Sequence, residues 1–117
     1  MSDLKPEQRR ELDALRRAYA AELPGKVTSI ARAAAALDAA ADGGVEELYH
    51  LVHRLAGSSA IWGFSAVSKA AGELEEVVLA ARQASPALLE RRKSEVRRLI
   101  GDLQRALRAC GSDARAG

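Results

Sequence analysis

The chain is expected to fold as an all-α protein, an antiparallel up-and-down four-helix bundle with an additional N-terminal helix. Three observations lead there. Apolar residues return at three- and four-residue spacing along nearly the whole chain. Only four residues are aromatic (Tyr19, Tyr49, Trp62 and Phe64) and alanine is the commonest residue, a mixture poor for strands and good for helices. Proline and glycine divide the 117 residues into segments of helical length joined by short turns. Amphipathic helices so joined cannot bury their stripes alone, and a bundle is the economical solution.

The first segment covers residues 6–22, with Pro6 suited to a first helical position and Leu12, Leu15 and Tyr19 on one face. Pro24-Gly25 is read as an interruption. A second helix then runs to about residue 41, with Val27, Ile30, Ala34 and Leu37 on one face, and Asp42-Gly43-Gly44 forms the next turn. A third helix covers residues 45–61, and Gly63 marks its end. The fourth covers residues 64–83 and carries Val67, Ala70, Ala71, Leu74, Val78 and Ala81. Ser85-Pro86 is a start signal, with Ser85 as N-cap and Pro86 at the first helical position. The last helix carries Leu89, Val96, Leu99, Ile100, Leu103 and Leu107; Gly111 is expected to end it and the tail to fray. Trp62 and Phe64 flank the Gly63 turn, and at least one should plug that end of the core.

Length and charge narrow the function classes. One domain over residues 1–117 fits the length, and a freestanding protein is the expectation. No apolar run reaches the roughly 18–20 residues of a membrane span, and Met1–Lys5 carries no apolar signal core. A single cysteine, Cys110, cannot form an internal disulfide, so the cytoplasm is the default location. The net charge of +2 is too small to mark a nucleic-acid binder. Residues 86–110 hold seven Lys or Arg against three acids, whereas residues 42–81 hold two against six. The basic run Arg91-Arg92-Lys93 has no aromatic partner and reads as a solvated helix face, which points to neither nucleic acid nor membrane. There is no G-x-x-x-x-G-K-[ST] loop and no dinucleotide fingerprint, so an autonomous kinase with its own ATP site is excluded.

The third helix carries the chemistry. On a wheel of about 100° per residue, Leu48, Val52, Leu55 and Ser59 share the core side. His53 lies about 120° from the centre of that stripe, at the exposed flank. Around it stand Tyr49, Ala56, Gly57 and Ala60, three of them very small, so another protein can reach the ring. A mid-helix glycine costs about 1 kcal/mol relative to alanine. In a chain that uses alanine freely, Gly57 suggests that even a methyl group would obstruct something; the plainer explanation, close packing against a neighbouring helix, is weakened because Gly57 points away from the core on the wheel. His50 also points outward but lacks a glycine four residues on, since Arg54 stands there.

The run His53-Arg54-Leu55-Ala56-Gly57-Ser58-Ser59, followed by Gly63, Val67, Leu74 and Glu75, resembles the histidine-containing phosphotransfer (HPt) family. The resemblance extends over about residues 15–107. It implies that His53 accepts a phosphoryl group on Nε2 from a receiver-domain aspartate and passes it to another receiver, in a two-component phosphorelay. It also implies a phosphotransfer intermediate with no cofactor of its own, magnesium being carried by the receiver partner. Its partners would be response-regulator receiver domains, with a hybrid histidine kinase among them, and its state a monomer. Gly57 and Ser58 belong to the motif. Glu75 matches a position where a polar residue contacts the histidine ring, and a carboxylate there would fix the tautomer.

Ala56 departs from the pattern, which usually has lysine there. Arg54 and Lys69 are the candidates to supply the missing positive charge, although Arg54 is about 100° from His53 on the wheel. The departure is expected to slow transfer or narrow partner choice. The rival reading is a docking module of the same fold that binds a receiver through Tyr49, His50, Ala56 and Ala60 without being phosphorylated. A third reading, zinc held by Glu46, His50 and His53, lacks an evident fourth ligand, since Cys110 belongs to a distant helix.

Overall fold

A computed structural model describes residues 4–37, 44–85 and 87–116, with side chains described as far as Cys110. The described residues form α1 (Pro6–Ala36), α2 (Gly44–Ile61), α3 (Ser65–Ala84), the short α4 (Ala87–Arg91) and α5 (Lys93–Ala116). There is no strand among them. Helix α1 packs on α2, α2 on α3, α3 on α5 and α5 back on α1, a closed ring of four long helices, while α4 packs on α3 and α5.

The N-terminal region differs from expectation. Pro24 lies inside α1, which runs unbroken where two helices were expected. A proline here removes one backbone hydrogen bond and crowds the carbonyl of Ala20, at a cost of about 3 kcal/mol. The stripe Tyr19, Leu23, Val27 and Ile30 is buried. Each such side chain contributes roughly 1.5–3 kcal/mol when fully buried, so the stripe outweighs the proline. Pro24 itself faces solvent. At 31 residues α1 is about 46 Å long, against about 27 Å for the 18-residue α2. Its N-terminal half therefore outruns its neighbours. Leu12 and Leu15, expected on the packing stripe, are 42% and 54% exposed.

The C-terminal end differs too. The expected last helix is divided at Arg92 into α4 and α5, and α5 continues through Gly111 to Ala116, so glycine does not terminate it. Ser85 Oγ accepts the backbone N–H of Ala87 at 3.2 Å, the N-cap contact expected of it. Pro86 and the Asp42-Gly43 part of the expected turn lie outside the described residues; Gly44 is already in α2.

The α2–α3 connection has a clear local cause. Phe64 N–H donates to Ser59 O at 2.8 Å and Gly63 N–H to Ala60 O at 3.1 Å, the paired bonds of a Schellman ending. Gly63 takes φ +81°, which glycine adopts without a Cβ penalty. Phe64 then enters the core beside Tyr19, with ring centroids 5.8 Å apart. Arg16 closes this end, with its guanidinium 4.3 Å from the centre of the Phe64 ring and its Nε donating to the backbone Trp62 O at 2.9 Å. Leu48, Val52, Leu55 and Ser59 are all buried, as the helical wheel predicts. The buried Ser59 hydroxyl donates to Leu55 O at 2.5 Å, which satisfies it within its own helix. With that stripe locked inward, His53 is held on the outer flank.

Candidate functional site

His53 stands on α2 with 60% of its side chain exposed. Its Nδ1 lies 2.7 Å from Glu75 Oε2 on α3. A carboxylate only accepts, so this bond places the imidazole hydrogen on Nδ1 and leaves the lone pair on Nε2. No hydrogen bond to Nε2 is present among the described residues. The Tyr49 ring, one turn earlier, stacks on the imidazole at 15° with centroids 5.5 Å apart. Two elements thus hold the ring, one through its edge and one through its face.

A second link crosses the same helix pair two turns away. Arg82 donates from Nε to Glu46 Oε2 at 2.7 Å and from its terminal nitrogen to Oε1 at 2.8 Å. The hydrogen bond from Arg82 is the main reason the Glu46 carboxyl is held below its usual range; burial opposes it as the next largest effect, and the charges of Arg82 and His50 add to the lowering. The same bond holds Arg82 above its ordinary value. The Arg82 guanidinium also lies 4.4 Å from the centre of the Tyr49 ring. His50 Nε2 is 3.0 Å from Glu46 Oε1, so the two histidines are engaged at opposite ring nitrogens.

The other expected site residues fall into two groups. Gly57 and Ala60 are exposed and Ala56 half-buried on the far side of His53. A Cβ built on Gly57 meets nothing within 4 Å, which removes close packing inside the chain as the reason for glycine. Ser58 and Arg54 lie toward α1 instead. The Ser58 hydroxyl shares a 2.5 Å hydrogen bond with Tyr19, and Arg54 lines an open groove with Glu22, Lys26 and Ser29. Lys69 is exposed on α3. Neither Arg54 nor Lys69 forms an ion pair with Glu75 among the described residues.

Glu46, His50 and His53 do not converge as the zinc reading requires: Glu46 is tied to Arg82 and His50, and His53 to Glu75. Sequence reasoning missed Arg82. Its signal was present in the register of an antiparallel pair. Seven residues are close to two helical turns, so stepping seven back from His53 and seven on from Glu75 reaches Glu46 and Arg82.

The chain is thus a helical bundle with an exposed histidine on one helix, in contact with a carboxylate from the next. The Hpt domain family model matches residues 1–109, and the chain belongs to that family. Hpt domains take part in histidine phosphotransfer in phosphorelays, where they interact with receiver domains. No curated protein and no solved structure matches the chain significantly. Among the described residues, no helix is long and apolar enough to cross a membrane.

Proposed function

We propose that this chain is a phosphorelay intermediate in which Nε2 of His53 takes a phosphoryl group from the aspartyl phosphate of one receiver domain and gives it to the aspartate of another. The observation that carries this reading is the division of labour on the imidazole: Nδ1 faces Glu75 at 2.7 Å while the ring is 60% exposed. The Nε2 lone pair attacks phosphorus, a P–N bond forms, and the P–O bond to the receiver aspartate breaks, releasing its carboxylate. The hydrogen stays on Nδ1. Positive charge that develops on the ring is met by the Glu75 carboxylate, which stabilises the transition state more than the neutral ground state. Magnesium and most of the stabilisation of the transferring group would come with the receiver. The return transfer runs the same steps backward onto a second receiver.

His50 is not the acceptor in this reading, because its Nε2 already faces Glu46. The bare surface of Ala56, Gly57 and Ala60 gives the receiver room to approach. The test is transfer from a panel of phosphorylated receivers to wild type, His53→Gln and His50→Gln, scored as acid-labile label on this chain. Label in wild type and His50→Gln but not in His53→Gln is expected. Receiver binding that survives His53→Gln, with no label on any variant, would replace the relay with the docking reading.

A further inference from the structure

The family's usual lysine is replaced by Ala56, and neither Arg54 nor Lys69 is engaged with Glu75 or His53. The side of His53 opposite Ala56 is, by contrast, densely built. We propose that Tyr49, clamped by the Arg82–Glu46 pair, is a positioning residue that sets the plane of the His53 ring for transfer; this rests on His53 being the phosphoacceptor.

A single hydrogen bond at Nδ1 fixes the position of one ring atom but leaves an exposed imidazole free to pivot about it. A face contact removes that freedom. The Tyr49 and His53 rings are 15° from parallel with centroids 5.5 Å apart, inside the range of offset stacking. Tyr49 is half-buried and packs against the core, so its backbone-proximal part is anchored. Its ring is then held by a cation over it, the Arg82 guanidinium at 4.4 Å. That guanidinium is itself oriented by two hydrogen bonds, one to each carboxylate oxygen of Glu46, a fork that lysine would not reproduce. Glu46 is three residues before Tyr49 and His53 four after it, so the two links to α3 bracket the tyrosine along α2. His50 meets Tyr49 edge-on at 5.6 Å and closes the arrangement from the side.

The clamp acts through geometry rather than through charge on the phosphoryl group, because the Arg82 charge is already matched by Glu46. A misplaced nucleophile lowers the rate of the chemical step without weakening the encounter, whereas a residue that only docks the partner does the reverse.

The experiment uses the full chain with Tyr49→Leu, Tyr49→Phe and Arg82→Gln, all checked for helical circular dichroism. Single-turnover transfer from a phosphorylated receiver is measured across receiver concentrations. Tyr49→Leu should lower the maximal rate about tenfold and leave the half-saturating concentration within about twofold. Tyr49→Phe, which keeps the ring face, should restore the rate to within about twofold, and Arg82→Gln should lower it about threefold. In parallel, proton NMR of the full chain, with the His53 imidazole resonances assigned by their absence in His53→Gln, reads their ring-current shift. That shift should be lost in Tyr49→Leu and kept in Tyr49→Phe. An unchanged maximal rate with a raised half-saturating concentration would make Tyr49 a docking residue and overturn the proposal. So would imidazole resonances indifferent to Tyr49→Leu. Wild type that takes no label from any receiver sinks the relay reading together with this one, while label at an unaltered rate in Tyr49→Leu sinks this one alone.

Discussion

The two sides of His53 along the α2–α3 pair are built to opposite ends. Seven residues toward the start of α2, the register partners are Glu46 and Arg82, joined by two charge-assisted hydrogen bonds, with Tyr49 between them and the histidine. Seven residues the other way, the corresponding positions are Ala60 and Ser68, with Ala56 and Gly57 between. Among the described residues, the polar contact there that crosses the helices is the Ser68 hydroxyl donating to Ala56 O at 2.9 Å. In the proposed reading, one side restrains the phosphoacceptor and the other leaves the approach to it clear. On the proposed mechanism both are needed, since a receiver that brings most of the catalytic groups must find the imidazole already oriented.

Filling the open side should break this comparison most severely. Gly57→Leu is expected to reduce transfer roughly a hundredfold, because a large side chain at this exposed position blocks the partner's approach. Gly57→Ala separates the two effects by sign. The added methyl meets nothing within 4 Å in the free chain, so it should stabilise the helix by about 1 kcal/mol, read as a higher melting temperature. Transfer should nonetheless fall. A variant that is both more stable and as fast as wild type would show that the glycine serves no approaching partner.

That open side was legible in the sequence because small residues around a histidine need only a helical wheel to be placed. The same wheel put Leu48, Val52, Leu55 and Ser59 in the core, and Gly63 marked the turn correctly because its positive φ has a local cause. The restraining side was less legible. Glu46 and Arg82 are 36 residues apart, and nothing local pairs them; only the antiparallel register, anchored by His53 and Glu75, brings them together. Helix α1 failed for the opposite reason. Pro24-Gly25 is a strong local breaker, yet Tyr19, Leu23, Val27 and Ile30 keep helical spacing straight through it, and tertiary burial of that stripe decided the outcome.

On the restraining side, Glu75 carries the next largest effect. Glu75→Leu removes the acceptor at Nδ1 and lets the hydrogen move to Nε2, which silences the nucleophile in that tautomer. A loss on the order of tenfold in maximal transfer rate is expected, with Glu75→Gln losing less because its amide oxygen still accepts. Equal loss in both variants would show that the charge matters and the tautomer does not. Ala56→Lys is smaller and opposite in direction. A cation one turn from His53 on the open side should raise the rate about threefold by meeting the phosphoryl charge. No gain would mean that the receiver already supplies what the chain lacks.

The smallest effect is in acid. Glu46 has its folded pKa lowered from an ordinary 4.5, mainly by the hydrogen bond from Arg82. A group with a depressed folded pKa contributes its stability in full above the unfolded value and loses it as pH falls through the folded one. The Glu46–Arg82 link should therefore be intact at neutral pH, begin to weaken near pH 4.5 and fade below it. Arg82 stays charged throughout, so the loss belongs to the carboxylate alone. Both partners are exposed, and the effect on global unfolding is correspondingly slight. Melting temperatures of wild type and Glu46→Gln should differ by a degree or so at pH 7 and converge only as the pH falls through the lowered folded pKa, below 4.5. The stacking shift of the His53 ring, assigned against His53→Gln and followed by NMR over the same range, reads the local consequence more sensitively. If the clamp transmits to the histidine, that shift should diminish with the Glu46 titration in wild type and be small at every pH in Glu46→Gln. A shift that ignores the titration would leave Glu46 and Arg82 as a surface ion pair with no hold on the site.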